Sequence, residues 1–161
     1  MVDRLIDILG KEAALFESFL ELLEQQQKML VENNVEGLNR ITDLQREKLI
    51  ESRILNRQRE ALVEQIRDSN AVEGDLNITR LLEIVDKDHA DQLAKLKDLI
   101  LNLTEKITQT RNQNAMLLNR SREYIAKTME LLSQIHDPNN TYAPADAVRQ
   151  PAANVAVDRR A

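Results

Sequence analysis

Histidines, cysteines and paired carboxylates bound the chemistry a chain can do, and here they are few: two histidines and no cysteine. Asp86 and His89, three residues apart, would share one face of a helix. A carboxylate and a histidine at that spacing make half of a carboxylate-bridged di-metal site. The other half needs a second copy and inward glutamates, yet His136, the remaining histidine, has only Ser133 three residues before it. Asp86-x-x-His89 therefore reads as polar helix surface, with no metal site and no cofactor. No nucleophile finds a histidine partner by pattern, and three glycines spread over 161 residues build no phosphate-cradling loop. An enzyme would have nowhere to place its active site.

What remains is the chemistry of binding, and one stretch concentrates it: "NQNAMLLNRSREYIAKTMELLSQI", residues 112–135. The helix leading into it carries an apolar seam, Leu93, Leu96, Ile100, Leu103 and Ile107. Continued at steps of three and four, the seam turns mixed: Thr110, Asn114, Leu117, Ser121, Tyr124, Thr128, Leu131, Ile135. A second apolar row, Leu118, Ile125, Met129 and Leu132, runs beside it. Burying a Leu, Ile or Met side chain is worth roughly 1.5–3 kcal/mol, and soluble monomers avoid leaving many exposed together. The face must be covered by the chain's own bundle, by a second copy in a homodimer, or by another protein. Polar seam residues weaken permanent packing and suit a groove that an amphipathic segment enters and leaves.

The elements that position this face are helices. Aromatics are 2% of the chain, charged residues 30%, and all three prolines follow residue 137, so residues 1–137 can be helical throughout and the rest cannot. The first helix spans about 2–32 on the stripe Val2, Leu5, Leu9, Ala13, Phe16, Leu20, Leu23, Gln27, Leu30. In the "ENNVEGL" stretch Asn33 with Glu36 has capping-box spacing, which marks a tight helix–helix connection. The second spans about 35–68, with Leu38, Ile41, Leu49, Leu55, Leu62 and Ile66 inward and Gln45, Ser52 and Arg59 intruding at seven-residue intervals. Polar residues on a seam cost stability and help fix register. The turn residues of "DSNAVEGDLN" lead to Asn77 as a cap, and the third helix spans 78–135. At 1.5 Å per residue it is roughly 85 Å long, against about 45–50 Å for the other two. Short connections make the three run up, down and up, and the third either overhangs its partners or folds back near 108–114.

These elements predict an all-α fold, an elongated antiparallel three-helix bundle or coiled coil with a long third helix. A helical domain spans 1–137 and a disordered tail 138–161. The net charge of −5 is interspersed at helical spacing (Asp7 with Lys11, Glu83 with Lys87), which solvates a helix face and gives no basic patch for nucleic acid. No apolar run is long enough to cross a bilayer, and no signal peptide or lipidation motif is present, so direct membrane insertion is not expected.

"NQNAMLLNRSREYIAKTMELL", followed by Thr141-Tyr142, resembles the C-terminal signature of the FlgN family of flagellar export chaperones, and "LLEQQQKMLVENNVEGLNRITDLQREKLI" is similar to the family's first hairpin. The resemblance covers residues 1–146. It implies a cytoplasmic chaperone that binds the C-terminal segments of hook-associated proteins 1 and 3, the hook–filament junction proteins, and delivers them unassembled to the export gate. By the same resemblance the client groove maps to Leu117, Leu118, Ile125, Met129 and Leu132. Tyr142 maps to the tyrosine that docks the cytoplasmic domain of the export-gate membrane protein, although Ala143-Pro144 stands where the family often has glycine. The alternative is a structural coiled-coil protein that self-assembles through its third helix.

Overall fold

A computed structural model describes residues 1–136, so the expectations for the tail 138–161 and for Tyr142 lie outside the described residues. The described chain is helical, as its periodicity implies: α1 (Val2–Val31), α2 (Val35–Ser69), the short α3 (Ile78–Ile84) and α4 (Lys87–His136). Two compact units divide it, residues 1–117 and a second beginning at Leu118.

Within the first unit, α1 and α2 form a hairpin. Asn34 caps α2 by accepting from the Gly37 amide at 2.8 Å, and Asn33 makes the turn at a φ of +53°, in the left-handed region that asparagine tolerates. Side-chain pairs show the direction of each helix. From Glu12–Arg59 to Gln26–Gln45 the sequence separation falls from 47 to 19, as in antiparallel neighbours. Between α1 and α4 it stays nearly constant: 86 for Asp3–His89, 86 for Gln27–Gln113, 91 for Leu23–Asn114. That constancy marks a parallel pair, so the three long helices run up, down and up. Because α1 bonds to both neighbours, it buries more than one stripe. Ile8, Leu15 and Leu22 are buried beside Leu5, Leu9, Ala13 and Leu23. The core cluster joins Leu5, Ile8 and Leu9 to Leu62, Ile66, Leu81 and Leu93.

Two expectations change. The third helix does not begin at Ile78 and run on; it breaks at Val85 and Asp86. Val85 is extended, as a β-branched residue readily is. Asp86 restarts the chain as a cap, its carboxylate accepting from the His89 amide at 3.1 Å. From Lys87 the helix is unbroken, with 108–114 helical throughout, so no fold-back occurs there. Second, Leu49 does not point inward but is 48% exposed. The seam of α2 passes through Gln45 and Ser52, both half-buried, and leaves Leu49 at its edge.

Candidate functional site

Asp86 and His89 do come together, but as a clamp between helix starts. His89 Nε2 lies 2.9 Å from Asp3 Oδ1, and His89 Nδ1 bonds the carboxylate of Asp86. Hydrogen bonding to Asp3 and then to Asp86 pushes the imidazole above its usual pKa, because both carboxylates favour the charged ring. The same bonds to His89 hold Asp3 and Asp86 below the ordinary carboxylate value. Among the described residues no three histidine or acidic side chains gather to hold a metal ion. The pair is structural: it ties the start of α1 to the start of α4.

A cleft of about 750 Å³ opens in the first unit, with Leu5, Leu9, Phe16 and Ile100 among its lining. On its wall Glu12, its side chain only 10% exposed, is bonded by Arg59 Nε at 3.1 Å. Arg59 also donates to Asn56. A buried carboxylate answered by a guanidinium is a neutralised core charge, and His89 is not among the residues that line the cleft.

The residues singled out for binding divide between the units. Leu117, in the first, is half-buried. Leu118, Ile125, Met129 and Leu132, in the second, are exposed at 48, 59, 62 and 45%. Tyr124, Leu131 and Ile135 are exposed as well, and of residues 118–136 only Ser121 is partly covered. At 100° per residue the two rows span about 160° of the helix surface, with Ser121 and Thr128 between them. Thr128 does little to wet this face, for its hydroxyl donates to the Tyr124 carbonyl at 2.9 Å and asks nothing of a partner. The arrangement offers a broad apolar strip with small residues along its middle, where another helix can approach closely.

Asn114 is a different case. Periodicity places it with Ser121 and Thr128 in the mixed seam, yet it is only 5% exposed. Its amide donates to the Leu23 carbonyl at 2.8 Å and to Gln26 Oε1 at 3.0 Å. It belongs to the bundle and not to the open face. The signal was in the sequence, since Gln27, Gln45 and Asn114 all fall on helix stripes, but periodicity gives each helix its own face and not the partner across it.

No helix of the described residues is long and apolar enough to cross a membrane. Neither a curated protein nor a solved structure was found that matches the chain. The model of the family described as FlgN protein matches residues 1–149, which takes in the hairpin, α4 and its exposed strip, and the chain belongs to this family of flagellar export chaperones.

Proposed function

We propose that the chain is a cytoplasmic export chaperone that holds the C-terminal segments of hook-associated proteins 1 and 3 on the strip Leu117, Leu118, Ile125, Met129 and Leu132, keeps them unassembled and delivers them to the export gate. The observation that carries this reading is the exposure of seven large apolar side chains between Leu118 and Ile135 in a chain of this family. An amphipathic client helix laid on the strip covers them, and Met129 gives an unbranched side chain that adapts to its surface. Replacing Ile125 or Leu132 by Asp tests it. Binding to a client C-terminal segment, followed by calorimetry, is abolished while helix content is unchanged, because a carboxylate in a desolvated contact is costly. Loss of helix in these variants would make the side chains core and end the reading.

Delivery is assigned to Tyr142. A tyrosine presents a large apolar surface and a hydroxyl at small entropic cost, which suits an anchor. Tyr142→Ala leaves client affinity unchanged and weakens binding of the loaded complex to the cytoplasmic domain of the gate protein. A loss of client binding instead would move Tyr142 to the client site. The exposed strip also favours a second reading, self-assembly through α4. Light scattering over a range of concentrations decides: a mass that doubles while the strip becomes protected supports it, and a monomer at all concentrations removes it.

A further inference from the structure

The apolar repeat of α4 does not by itself say where α1 belongs along it. Leu93, Leu96, Ile100, Leu103 and Ile107 recur at three and four, and Leu117, Tyr124, Leu131 and Ile135 carry the same spacing on. Sliding α4 by seven residues sets Ile100, Leu103 and Ile107 in the places of Leu93, Leu96 and Ile100, against the same partners. The 50 residues of α4 against the 30 of α1 make such slippage available.

Besides the His89–Asp3 pair at the helix starts, one layer deep in the bundle breaks the repeat. Asn114 on α4 donates to Gln26 on α1, and Gln26 donates on to Gln45 on α2 at 3.5 Å. Three helices each contribute one amide. Asn114 donates as well to the Leu23 carbonyl at 2.8 Å. A slip of seven puts Ile107 or Ser121 in place of Asn114. Isoleucine leaves the Gln26 carbonyl oxygen with nothing to accept from, and serine has a single donor where Asn114 supplies two bonds. The layer contributes selectivity more than stability, because Gln45 Nε2 and Asn114 Oδ1 are buried with no partner.

We infer that Asn114 sets the register of α4 at the far end of α1 from the His89–Asp3 pair. Its amide fixes Gln113 beside Gln27, and so decides that the hairpin covers the apolar repeat as far as Leu117. That this leaves the strip from Leu118 free for a client rests on the function proposed above; the register itself rests on the hydrogen bonds.

The test uses the absence of cysteine from the chain. Full-length proteins carry Gln27→Cys together with Gln113→Cys, or with Lys106→Cys or Arg120→Cys one heptad to either side, and are joined with a short bismaleimide. With Asn114 present the Gln113 pair cross-links at least about tenfold more than either shifted pair. In the Asn114→Leu background a shifted pair rises to within about twofold of it, with helix content retained. Gln45→Leu, which removes one amide and leaves Asn114 bonded to Leu23, gives an intermediate ratio. Cross-linking that stays confined to the Gln113 pair in Asn114→Leu overturns the inference, as does loss of helix in that variant. Neither measurement involves a client, so a failure here is distinct from a failure of the proposed function.

Discussion

Leu93 and Ile125 lie on the same helix, in adjacent apolar rows, and have similar side chains, yet Leu93 is 0% exposed and Ile125 is 59% exposed. In the first unit the core cluster sets apolar side chains against one another, and the buried residues Glu12 and Asn114 each bond a named partner, although Asn114 Oδ1 itself has none. In the second, residues 118–136 carry as much grease and almost none of it is covered. The difference separates the two uses of one pattern. Where the repeat is buried it sets stability, at roughly 25 cal/mol for each Å² taken from water. Where it is open it contributes nothing to folding and keeps that free energy for a contact still to be made.

The comparison is sharpened most by Leu93→Ala. Emptying a fully buried leucine site costs about 2–5 kcal/mol, so urea denaturation should show a large fall in midpoint; a change below about 1 kcal/mol would deny that α4 is anchored there. Arg59→Leu comes next. It strands the Glu12 carboxylate, and because Arg59 is partly exposed the expected loss is about 1–2 kcal/mol, below the figure for a fully buried pair. The double variant with Glu12→Leu should recover most of that loss, which a cycle of melting curves measures.

A smaller effect follows from His89. Its folded-state pKa is raised, so its clamp stabilises fully below the ordinary histidine value of 6.5 and the contribution is lost as pH rises through the folded pKa. Asp3 and Asp86 act in the opposite sense: lowered in the folded state, they stabilise above 3.8 and lose this as pH falls through their folded values. Melting temperature followed from pH 5 to 9 should decline on the alkaline side, and His89→Gln should flatten that limb. The smallest effect belongs to the open unit: Ile125→Ala should change stability by less than about 0.5 kcal/mol, since it removes no packing and alanine is the better helix former. A loss comparable to that at Leu93 would erase the distinction between the two regions.

Most of the helical framework was legible in the sequence, because periodicity and turn residues are local signals. Asn77 before Ile78 marks a helix start whose cap depends on a side chain within three residues, while at the first turn the cap expected at Asn33 falls one residue later, on Asn34, because Asn33 takes the left-handed turn position. The break at Val85 was missed for a related reason. Asp86-x-x-His89 was set only as half of a metal pair against polar helix surface, and its third use, a carboxylate accepting from the His89 amide, was passed over. Seam membership was less secure, as Leu49 shows: the repeat carried Gln45 and Ser52 on the seam, where both are half-buried, but an apolar side chain was also expected inward at Leu49, which lies at the edge of the stripe and is exposed. The candidate binding strip was legible as an excess of apolar residues, while its emptiness was not. Which polar seam residues are buried could not be read from one helix at a time, for Asn114 and Ser121 occupy equivalent places in the repeat and differ only in what lies across from them.

The constant separation of α1 from its α4 partners, 86 to 91 residues, governs the order in which the chain assembles as it is made. The α1–α2 hairpin is complete once Ser69 has been added, whereas its α4 partners arrive up to Asn114. At about 5–20 residues per second, that gap lasts roughly 2–9 s, while helices and their local contacts form in microseconds. Until Leu93 is added, about halfway through it, Leu5, Leu9, Leu62 and Ile66 lack the side chain that completes their cluster. The nascent hairpin, with its core face open to water, is the stage most prone to aggregation, and docking of α4 across a long intervening segment is the step that ends it.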